Sequence, residues 1–280
     1  MLRTISPQDM QEMEKAFLDG TGYPSILLME HAAQHVLDAL SECVACDAHV
    51  LFVCGSGNNG GDGCAAARLW IQRGGQASVW LMRSPSQMKN DAGINARLLS
   101  ACRASVSILY EDALPEIPHG CAAIVDALYG TGLNRELSGL SGQLVNLING
   151  SGLPVLSVDI PSGIDGTTGQ TLGAAVRADV TVTFHRAKHG HFLEPGRTHT
   201  GRLLVKDIGI LSDWDGAQGI DVLEKEDAEG LLPPRPRSGH KGTFGHVLCV
   251  AGSEGMAGAA ALCASSALCA CVRLRFSRRS

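Results

Sequence analysis

The sequence lacks an excess of positive charge, and this limits the partners that it can bind. Its 280 residues include 23 lysines and arginines against 28 aspartates and glutamates, which gives a formal net charge of −5. Binding to nucleic acid through phosphate neutralisation needs a basic surface, so we expect no nucleic-acid partner. A phosphorylated small molecule would instead be held by backbone N–H groups at the starts of helices.

Long apolar segments are also missing. The first fifteen residues, MLRTISPQDMQEMEK, place polar and charged groups where a secretory signal needs an apolar run. The late apolar segment Ala257–Val272 is too short and too weakly apolar for a convincing membrane span. Since 45% of the side chains are hydrophobic and 18% are charged, the chain reads as globular. We therefore expect a cytoplasmic protein that does not bind membranes.

A second C-x-x-C pair is missing as well. Cys43 and Cys46 form one such pair, but a structural zinc site needs two further ligands at a similar spacing. The ten cysteines are scattered through apparent strands and helices, which is not the pattern of a small disulfide-bonded protein. We interpret most of them as small buried hydrophobic residues.

Apolar runs alternate with segments of helical periodicity along most of the chain. Strands that are apolar throughout and separated by helices predict a parallel sheet covered on both faces, an α/β fold. A first helix is predicted after Ser6, which we expect to cap it, with Met10, Met13 and Phe17 on its apolar face. The further predicted helices are Ile26–Leu40, Gly63–Arg73, Gln87–Cys102 and Gly139–Ile148, and the predicted strands are Ala48–Cys54, Gln76–Met82, Ser105–Leu109, Ala122–Ala127, Leu153–Val158, Val180–Phe184 and Arg202–Ile208.

The most informative segment is CGSGNNGGDG, residues 54–63, which joins a predicted strand to a predicted helix. Five glycines in ten residues let the backbone approach a ligand closely. The glycines at 55, 57 and 60 also fit G-x-G-x-x-G. A dinucleotide-binding dehydrogenase would have an acidic residue at the end of the next strand, where this chain has Arg83. Arg83 could accept a 2′-phosphate, so an NADP-dependent dehydrogenase stays an alternative.

Two further strand ends carry polar residues. Asp126 lies in VDALYGTGLNR, and Asp159 lies in SVDIPSGIDGTTG. Because ligands of an open parallel sheet sit outside the carboxyl ends of the strands, we expect these two carboxylates and the glycine-rich segment to line one crevice. Asp165, which precedes a glycine, is interpreted as a turn residue only.

The three segments CGSGNNGGDG, VDALYGTGLNR and VDIPSGIDG, in this order, resemble the NAD(P)H-hydrate epimerase family, the YjeF N-terminal domain. The resemblance covers about residues 4–210, and LLMEHAA, ADVTVTFHRAKHG and LEPG also match. It implies a Rossmann-like α/β/α sandwich with a mostly parallel central sheet over residues 1–212. It also implies an isomerase of nicotinamide cofactor repair, which interconverts the R and S forms of NADHX and NADPHX, cofactors hydrated at nicotinamide C6.

The resemblance assigns roles to individual residues. It implies a potassium ion, held by Asn59, Asp126 and Ser162, and a homodimer. The substrate-binding residues that it implies are Asn58, Asn59, Gly60, Gly61, Asp62, Gly130, Thr131, Gly132, Leu133, Asn134, Arg135, Glu136 and Asp159. Oxygen ligands suit a hard cation, although they do not distinguish potassium from others.

Our mechanistic hypothesis is that Asp159 is catalytic and handles protons as the C6 hydroxyl leaves and returns. Lys188 is a weaker candidate for assisting it, and a surface lysine or a phosphate contact is an equal alternative. The three histidines of HRAKHGH are interpreted as loop residues, because the neighbouring basic side chains repel a metal cation.

The C-terminal part has a different character. Residues 213–237 are polar and rich in proline and glycine, as expected for a linker. Residues 238–280 begin with a segment that resembles the opening of the ADP/ATP-dependent NAD(P)H-hydrate dehydratase, a ribokinase-like domain, and end in the unrelated basic stretch CVRLRFSRRS. We expect an incomplete domain without dehydratase activity, and a functional partnership with a separate or full-length dehydratase.

A noncatalytic binding module is a further alternative, because relatives of the epimerase domain serve as scaffolds. Asn59, Asp126, Asp159 and Ser162 are all present together, which favours catalysis over scaffolding.

Overall fold

A sheet of seven parallel strands forms the centre of the protein. The computed structural model describes residues 2–102, 104–110, 114–211, 214, 219–231, 246–269 and 273–276. The strand order is β4-β3-β2-β5-β6-β7-β8. The strands are β2 (His49–Cys54), β3 (Gln76–Leu81), β4 (Ser105–Ile108), β5 (Cys121–Ala127), β6 (Val155–Val158), β7 (Val180–Phe184) and β8 (Arg202–Lys206). The order reverses between β2 and β5, so a crevice opens at the carboxyl ends of these two strands.

Helices cover both faces of this sheet. They are α1 (Pro7–Thr21), α2 (Ser25–Cys43), α3 (Asn58–Gln72), α4 (Asn90–Leu98), α5 (Gly139–Gly150) and the short α6 (Gly196–Thr200). Ser6 caps α1 as predicted, because its Oγ accepts a hydrogen bond of 3.0 Å from the Asp9 N–H. An outer pair of antiparallel strands, β1 (Leu2–Thr4) and β9 (Ile220–Val222), was not predicted from the sequence.

Alternation along the strands divides the core into two layers. On β2, Val50 and Phe52 pack with side chains of α1 to α4, whereas Leu51 and Val53 pack with α5. Successive strand residues point to opposite faces, so a strand that is apolar throughout serves both layers. Each fully buried aliphatic side chain contributes about 1.5–3 kcal/mol. The α/β/α sandwich expected from the sequence is confirmed.

The largest difference from the predicted elements lies at α3. The sequence places its start at Gly63, but α3 begins at Asn58. Gly60 and Gly61, which were attributed to a ligand-binding loop, are therefore helical residues like Gly63. A Cβ on Gly60 would lie 1.9 Å from the Gly55 carbonyl oxygen, and a Cβ on Gly63 would lie 2.5 Å from the Cβ of Ala127. These glycines allow the helix to pack closely against the preceding turn and β5.

The chain divides into two compact units, Met1–Val222 and Leu223–Ser280. The second contains α7 (Lys225–Leu231), β10 (His246–Cys249), α8 (Ala257–Cys269) and β11 (Arg273–Phe276), with β10 parallel to β11. Part of the predicted linker and the start of the dehydratase-like segment, residues 232–245, lie outside the described residues. The interpretation of residues 238–280 as an incomplete dehydratase domain stays a prediction. Across the described parts of the chain, every helix falls short of the length and apolar character needed to cross a membrane.

Candidate active site

A cavity of about 450 Å³ opens at the carboxyl ends of the central strands. Two segments that follow β2 and β5, residues 56–59 and 128–135, form part of its wall. Asp159, which follows β6, and Lys188, which follows β7, also line it. The three strand ends singled out in the sequence therefore meet in one crevice, as expected for an open parallel sheet.

The N-terminus of α3 lies at the wall of this cavity. The capping residue is Gly57, which has no side chain to occupy the first N–H groups of the helix. Unpaired N–H groups and the positive end of the helix dipole attract anions. Ser56, Gly57 and Asn58 line the cavity, so the start of α3 is suited to a phosphate group.

Asn59 connects α3 to the two neighbouring strand ends. Its side-chain amide fits between Val158 and Gly130, with the nitrogen donating to the Val158 carbonyl at 3.1 Å and the oxygen accepting from the Gly130 N–H at 3.3 Å. This orientation is assigned from the hydrogen-bond partners. Asn59 thereby fixes the start of the 130–135 loop relative to β6.

Asp126 is fully buried beneath the cavity and does not line it. Its Oδ1 accepts from the Ser162 hydroxyl at 2.6 Å, and its Oδ2 accepts from the Ser157 hydroxyl at 2.8 Å and the Ser162 N–H at 2.9 Å. Burial raises the pKa of Asp126, and these hydrogen bonds offset only part of that rise. The Ser162 Oγ in turn accepts from the Tyr129 N–H at 2.9 Å. Asp126 and Ser162 together hold the turn after β5.

Asp159 has an unusual backbone conformation. Its φ of 66° lies in the left-handed region, which non-glycine residues rarely adopt. Its N–H donates to the Val182 carbonyl at 2.7 Å, and its own carbonyl accepts from His191 Nε2 at 3.0 Å. Strained backbone of this kind is found most often at functional sites, because the surrounding structure must maintain it.

Asp159 and Lys188 form an ion pair at the cavity. The Lys188 Nζ lies 2.6 Å from Asp159 Oδ1, and the two side chains are 2% and 14% exposed. Nζ also donates to Thr183 Oγ1 at 2.9 Å, and this hydroxyl donates to Asp159 Oδ1 at 3.1 Å. Burial opposes ionisation of Asp159, but the charge and hydrogen bond of Lys188 outweigh it and lower the pKa of Asp159. Asp159 is therefore a carboxylate at neutral pH.

The second carboxylate oxygen of Asp159 is less occupied. Oδ2 accepts only one long hydrogen bond among the described residues, from the Thr131 N–H at 3.4 Å. Oδ1 is held by Lys188 and Thr183. Oδ2 is thus the atom with lone pairs available to a bound molecule.

His191 holds the backbone of both Asp159 and Lys188 in place. Its Nδ1 accepts from the Lys188 N–H at 3.0 Å, so the proton is on Nε2, which donates to Asp159. Burial, and next the charge of Lys188, lower the pKa of His191 to about 4. His191 is therefore a neutral positioning residue. The interpretation of Lys188 as a surface lysine is wrong, because the fold buries its side chain against Asp159.

The described structure shows where the other expected residues lie. The residues expected to bind substrate that line the cavity are Asn58, Asn59, Asp62, Gly130, Thr131, Gly132, Leu133, Asn134, Arg135 and Asp159. Gly60 and Gly61 are buried in α3, and Glu136 is exposed beside the cavity wall without lining it. Asp165 is a turn residue as predicted, since its Oδ1 accepts from the N–H groups of Thr167 and Thr168. Arg83 is exposed and does not line the cavity.

Sequence reasoning missed two carboxyl groups of the cavity, Asp91 and Glu14. The Ser25 hydroxyl donates a hydrogen bond to Asp91, whereas Glu14 faces Asp159. Glu14 lies on α1, one residue after the buried Met13, and lines the cavity with Asp62 and Asp159. Burial, followed by the charge of Asp159, raises the pKa of Glu14. Burial, followed by Asp159 and Glu14, raises the pKa of Asp62 well above its ordinary value. Nothing in the periodicity of α1 distinguishes Glu14 from the exposed acids of the same helix.

Comparison with known proteins places this fold in a family. The model of the YjeF-related protein N-terminus matches residues 25–190. The chain belongs to the YjeF_N family. The crystal structure of the yeast protein YNL200c has the same fold, with a TM-score of 0.66 and 21% identity over 81% of this chain and 98% of the yeast chain.

Two kinds of curated relatives resemble this YjeF_N chain. The NAD(P)H-hydrate epimerase of Weissella koreensis is 32% identical over 76% of this chain and 94% of its own length. The bifunctional NAD(P)H-hydrate repair enzyme Nnr of Moorella thermoacetica is 34% identical over 92% of this chain but only 50% of its own length. The YjeF_N chain therefore spans about half the length of the bifunctional relatives that it matches.

Proposed function

We propose that this chain interconverts the R and S epimers of NAD(P)H-hydrate, as an isomerase of cofactor repair. The observation that carries the proposal is the buried Asp159–Lys188 ion pair at the cavity, with one carboxylate oxygen left available. Relatives named NAD(P)H-hydrate epimerase, which this chain matches over nearly their whole length, support the same activity.

The cavity has separate regions suited to the two chemical parts of such a substrate. The uncapped start of α3 and Arg135 line the cavity and would hold the pyrophosphate. Asp159 and Lys188 would face the hydrated nicotinamide ring. A dinucleotide bound in this way is held without the broad basic surface that the composition lacks.

The chemistry requires proton transfer at one carbon atom. In the hydrate, C6 carries a hydroxyl group and is bonded to N1. When the C6–O bond breaks, the oxygen leaves with the bonding electrons, and the N1 lone pair forms a double bond to C6. Water then adds to either face of C6 and loses a proton. Asp159 Oδ2 accepts that proton, and Lys188 keeps Asp159 ionised beforehand.

We also propose that Asn59, Asp126 and Ser162 hold a potassium ion. The donor set fits such an ion, because it offers amide, carboxylate and hydroxyl oxygens, which suit hard cations. Among the described residues, no cationic side chain pairs with the buried Asp126, and one formal negative charge matches a monovalent ion. When bound, the ion would supply a positive charge beside the loop after β5.

A partnership with a dehydratase follows from the same reasoning. Relatives about twice as long are named bifunctional, and residues 238–280 resemble the opening of a dehydratase. We propose that epimerisation supplies the epimer that a dehydratase consumes, whether that enzyme is separate or part of a longer protein. The homodimer implied by the sequence resemblance stays a prediction.

The test is epimer exchange with a single purified epimer of NADPHX, followed by chromatography with and without potassium. We expect the protein to accelerate the approach to the R/S mixture, and Asp159→Asn to reduce the rate about 10²- to 10⁴-fold. Asp165→Asn is the matched control, because this carboxylate holds a turn and does not line the cavity. A folded wild-type protein without acceleration would overturn the proposal and favour a noncatalytic binding module.

A further inference from the structure

Epimerisation at C6 requires one group that donates a proton and one that accepts a proton, and a single carboxylate does not do both at once. The hydroxyl leaves from one face of the ring, and water adds to the opposite face. The departing oxygen needs a proton, while the incoming water must lose one. If Asp159 receives the proton on one face, a second group must donate a proton on the other.

Glu14 has the surroundings expected of this second group. Its half-buried side chain lines the cavity, while the neighbouring Met10 and Met13 anchor α1 in the core. Within the described part of the chain, the Glu14 carboxyl makes no hydrogen bond or ion pair with another side chain or with the backbone. Lys188 is the cation that faces it, and that cation is already bound to Asp159. Among the described residues, the Glu14 carboxyl is therefore not engaged in a structural hydrogen bond or ion pair and is available to a bound molecule.

The charges around Glu14 favour its protonated form. Asp159 and Lys188 face it from the segments that follow β6 and β7, and Asp62 faces it from α3. Burial and the negative charge of Asp159 raise the pKa of Glu14, while Lys188 opposes this rise only in part. The cavity thus pairs an ionised carboxylate with a carboxyl group whose pKa is raised, the arrangement typical of acid–base catalysis.

We propose that Glu14 is a catalytic residue that donates a proton to the departing C6 oxygen while Asp159 receives one from the incoming water. This inference rests on the proposed epimerase function.

The step balances as follows. The C6–O bond breaks, its electron pair stays on the oxygen, and that oxygen takes the Glu14 proton and leaves as water. N1 supplies the lone pair that forms the N1–C6 double bond. A water molecule then forms a new C6–O bond on the other face, returns the electron pair to N1 and gives its proton to Asp159 Oδ2. The reverse reaction starts from the opposite protonation states, so the same two groups serve both epimers.

Asp62 is less suited to this role. Its pKa is raised too, by burial and by the neighbouring Asp159 and Glu14, so its position is what distinguishes it. Asp62 lies in the first turns of α3, near the proposed phosphate site.

The test compares Glu14→Gln with Glu12→Gln in epimer exchange started from each epimer. Glu12 is an exposed carboxylate on the same helix and does not line the cavity. We expect Glu14→Gln to lower kcat/KM about 10²- to 10⁴-fold, by the same factor in both directions, because a catalyst leaves the equilibrium constant between the epimers unchanged. Glu12→Gln should match the wild type. Glu14→Asp, which keeps the acid but shortens its reach, should retain more activity than Glu14→Gln.

Two further measurements separate catalysis from a structural role. Glu14→Gln should bind ADP-ribose, which lacks the reacting ring, as tightly as the wild type and should unfold at a similar temperature. In the wild type, exchange should fall as the pH rises through the pKa of Glu14, and this fall should be absent from the residual activity of Glu14→Gln. Two results would overturn the inference. One is a wild-type exchange rate in Glu14→Gln. The other is that the fall in exchange with rising pH disappears in Asp62→Asn but persists in Glu14→Gln. An inactive wild-type protein would instead refute the proposed epimerase function.

Discussion

Asp126 and Asp159 lie at the carboxyl ends of adjacent parallel strands, and the sequence presents them in almost the same way. Each follows a valine at the end of an apolar run. In the folded protein, however, burial raises the pKa of Asp126, which has only neutral hydrogen-bond donors to oppose it, whereas Lys188 lowers the pKa of Asp159 despite its burial. The same local pattern thus produces two carboxyl groups with opposite electrostatics. What distinguishes them is a lysine 29 residues further along the chain.

Removing Lys188 should abolish this difference and gives the largest expected change in stability. In Lys188→Met, Asp159 stays buried without its counterion, so its pKa should rise as that of Asp126 does. We expect a loss of about 3–5 kcal/mol in the free energy of unfolding, because one partner of a buried ion pair is left alone. Urea denaturation measures this loss. Lys15→Met, an exposed lysine on α1, serves as the control and should change stability by less than about 0.5 kcal/mol.

Ser162→Ala tests the other carboxyl group. This variant removes the 2.6 Å hydrogen bond to Asp126 and the acceptor of the Tyr129 N–H. We expect a loss of about 1–3 kcal/mol, since buried groups are left without partners. Thermal unfolding in potassium, sodium and choline chlorides should show stabilisation by potassium in the wild type and a smaller response in Ser162→Ala. An equal response to all three salts in the wild type would argue against the potassium site.

The smallest effect is expected in the pH dependence of stability. Because the folded pKa of Asp159 lies below its ordinary value of 3.8, its contribution is fully present above that value. The contribution is lost as the pH falls from about 3.8 through the folded pKa. The unfolding free energy of the wild type should therefore decline more steeply with acidification than that of Asp159→Asn, by at most about 1.4 kcal/mol per pH unit. If the unfolding free energies of the wild type and of Asp159→Asn declined equally with acidification, Lys188 would not be holding Asp159 ionised.

Much of the fold followed from local patterns. The predicted strand Val180–Phe184 has the observed bounds, and the strand at β5 differs from its prediction by one residue. The cap at Ser6 was also predicted correctly. These features depend on residues close together in the sequence, namely apolar runs and a capping side chain three residues from its partner. The short pair β1 and β9 was missed because its two strands are more than 200 residues apart.

The candidate site was predicted only in part for the same reason. The glycine-rich segment was recognised, but its glycines were attributed to ligand approach. The structure shows that a Cβ on Gly61 would lie 2.7 Å from both the Cα of Ala92 and the Cε of Met29, so this glycine permits helix packing. Packing against a residue 31 positions away leaves no local signal. Glu14 was missed because its role depends on which face of α1 the fold turns toward the cavity.

The sequence by itself determined the order of strands and helices, the parallel sheet with both faces covered, and the strand ends that carry Asp126 and Asp159. Hydrophobic alternation and glycine placement are local properties, and the carboxyl ends of parallel strands necessarily share one edge of a sheet. Only the tertiary structure decided in which direction the pKa of each carboxyl group is shifted and what each one faces. The pKa of a carboxyl group depends on its burial and on charges that the fold brings within a few ångströms, and neither can be predicted from the residues next to it in the sequence.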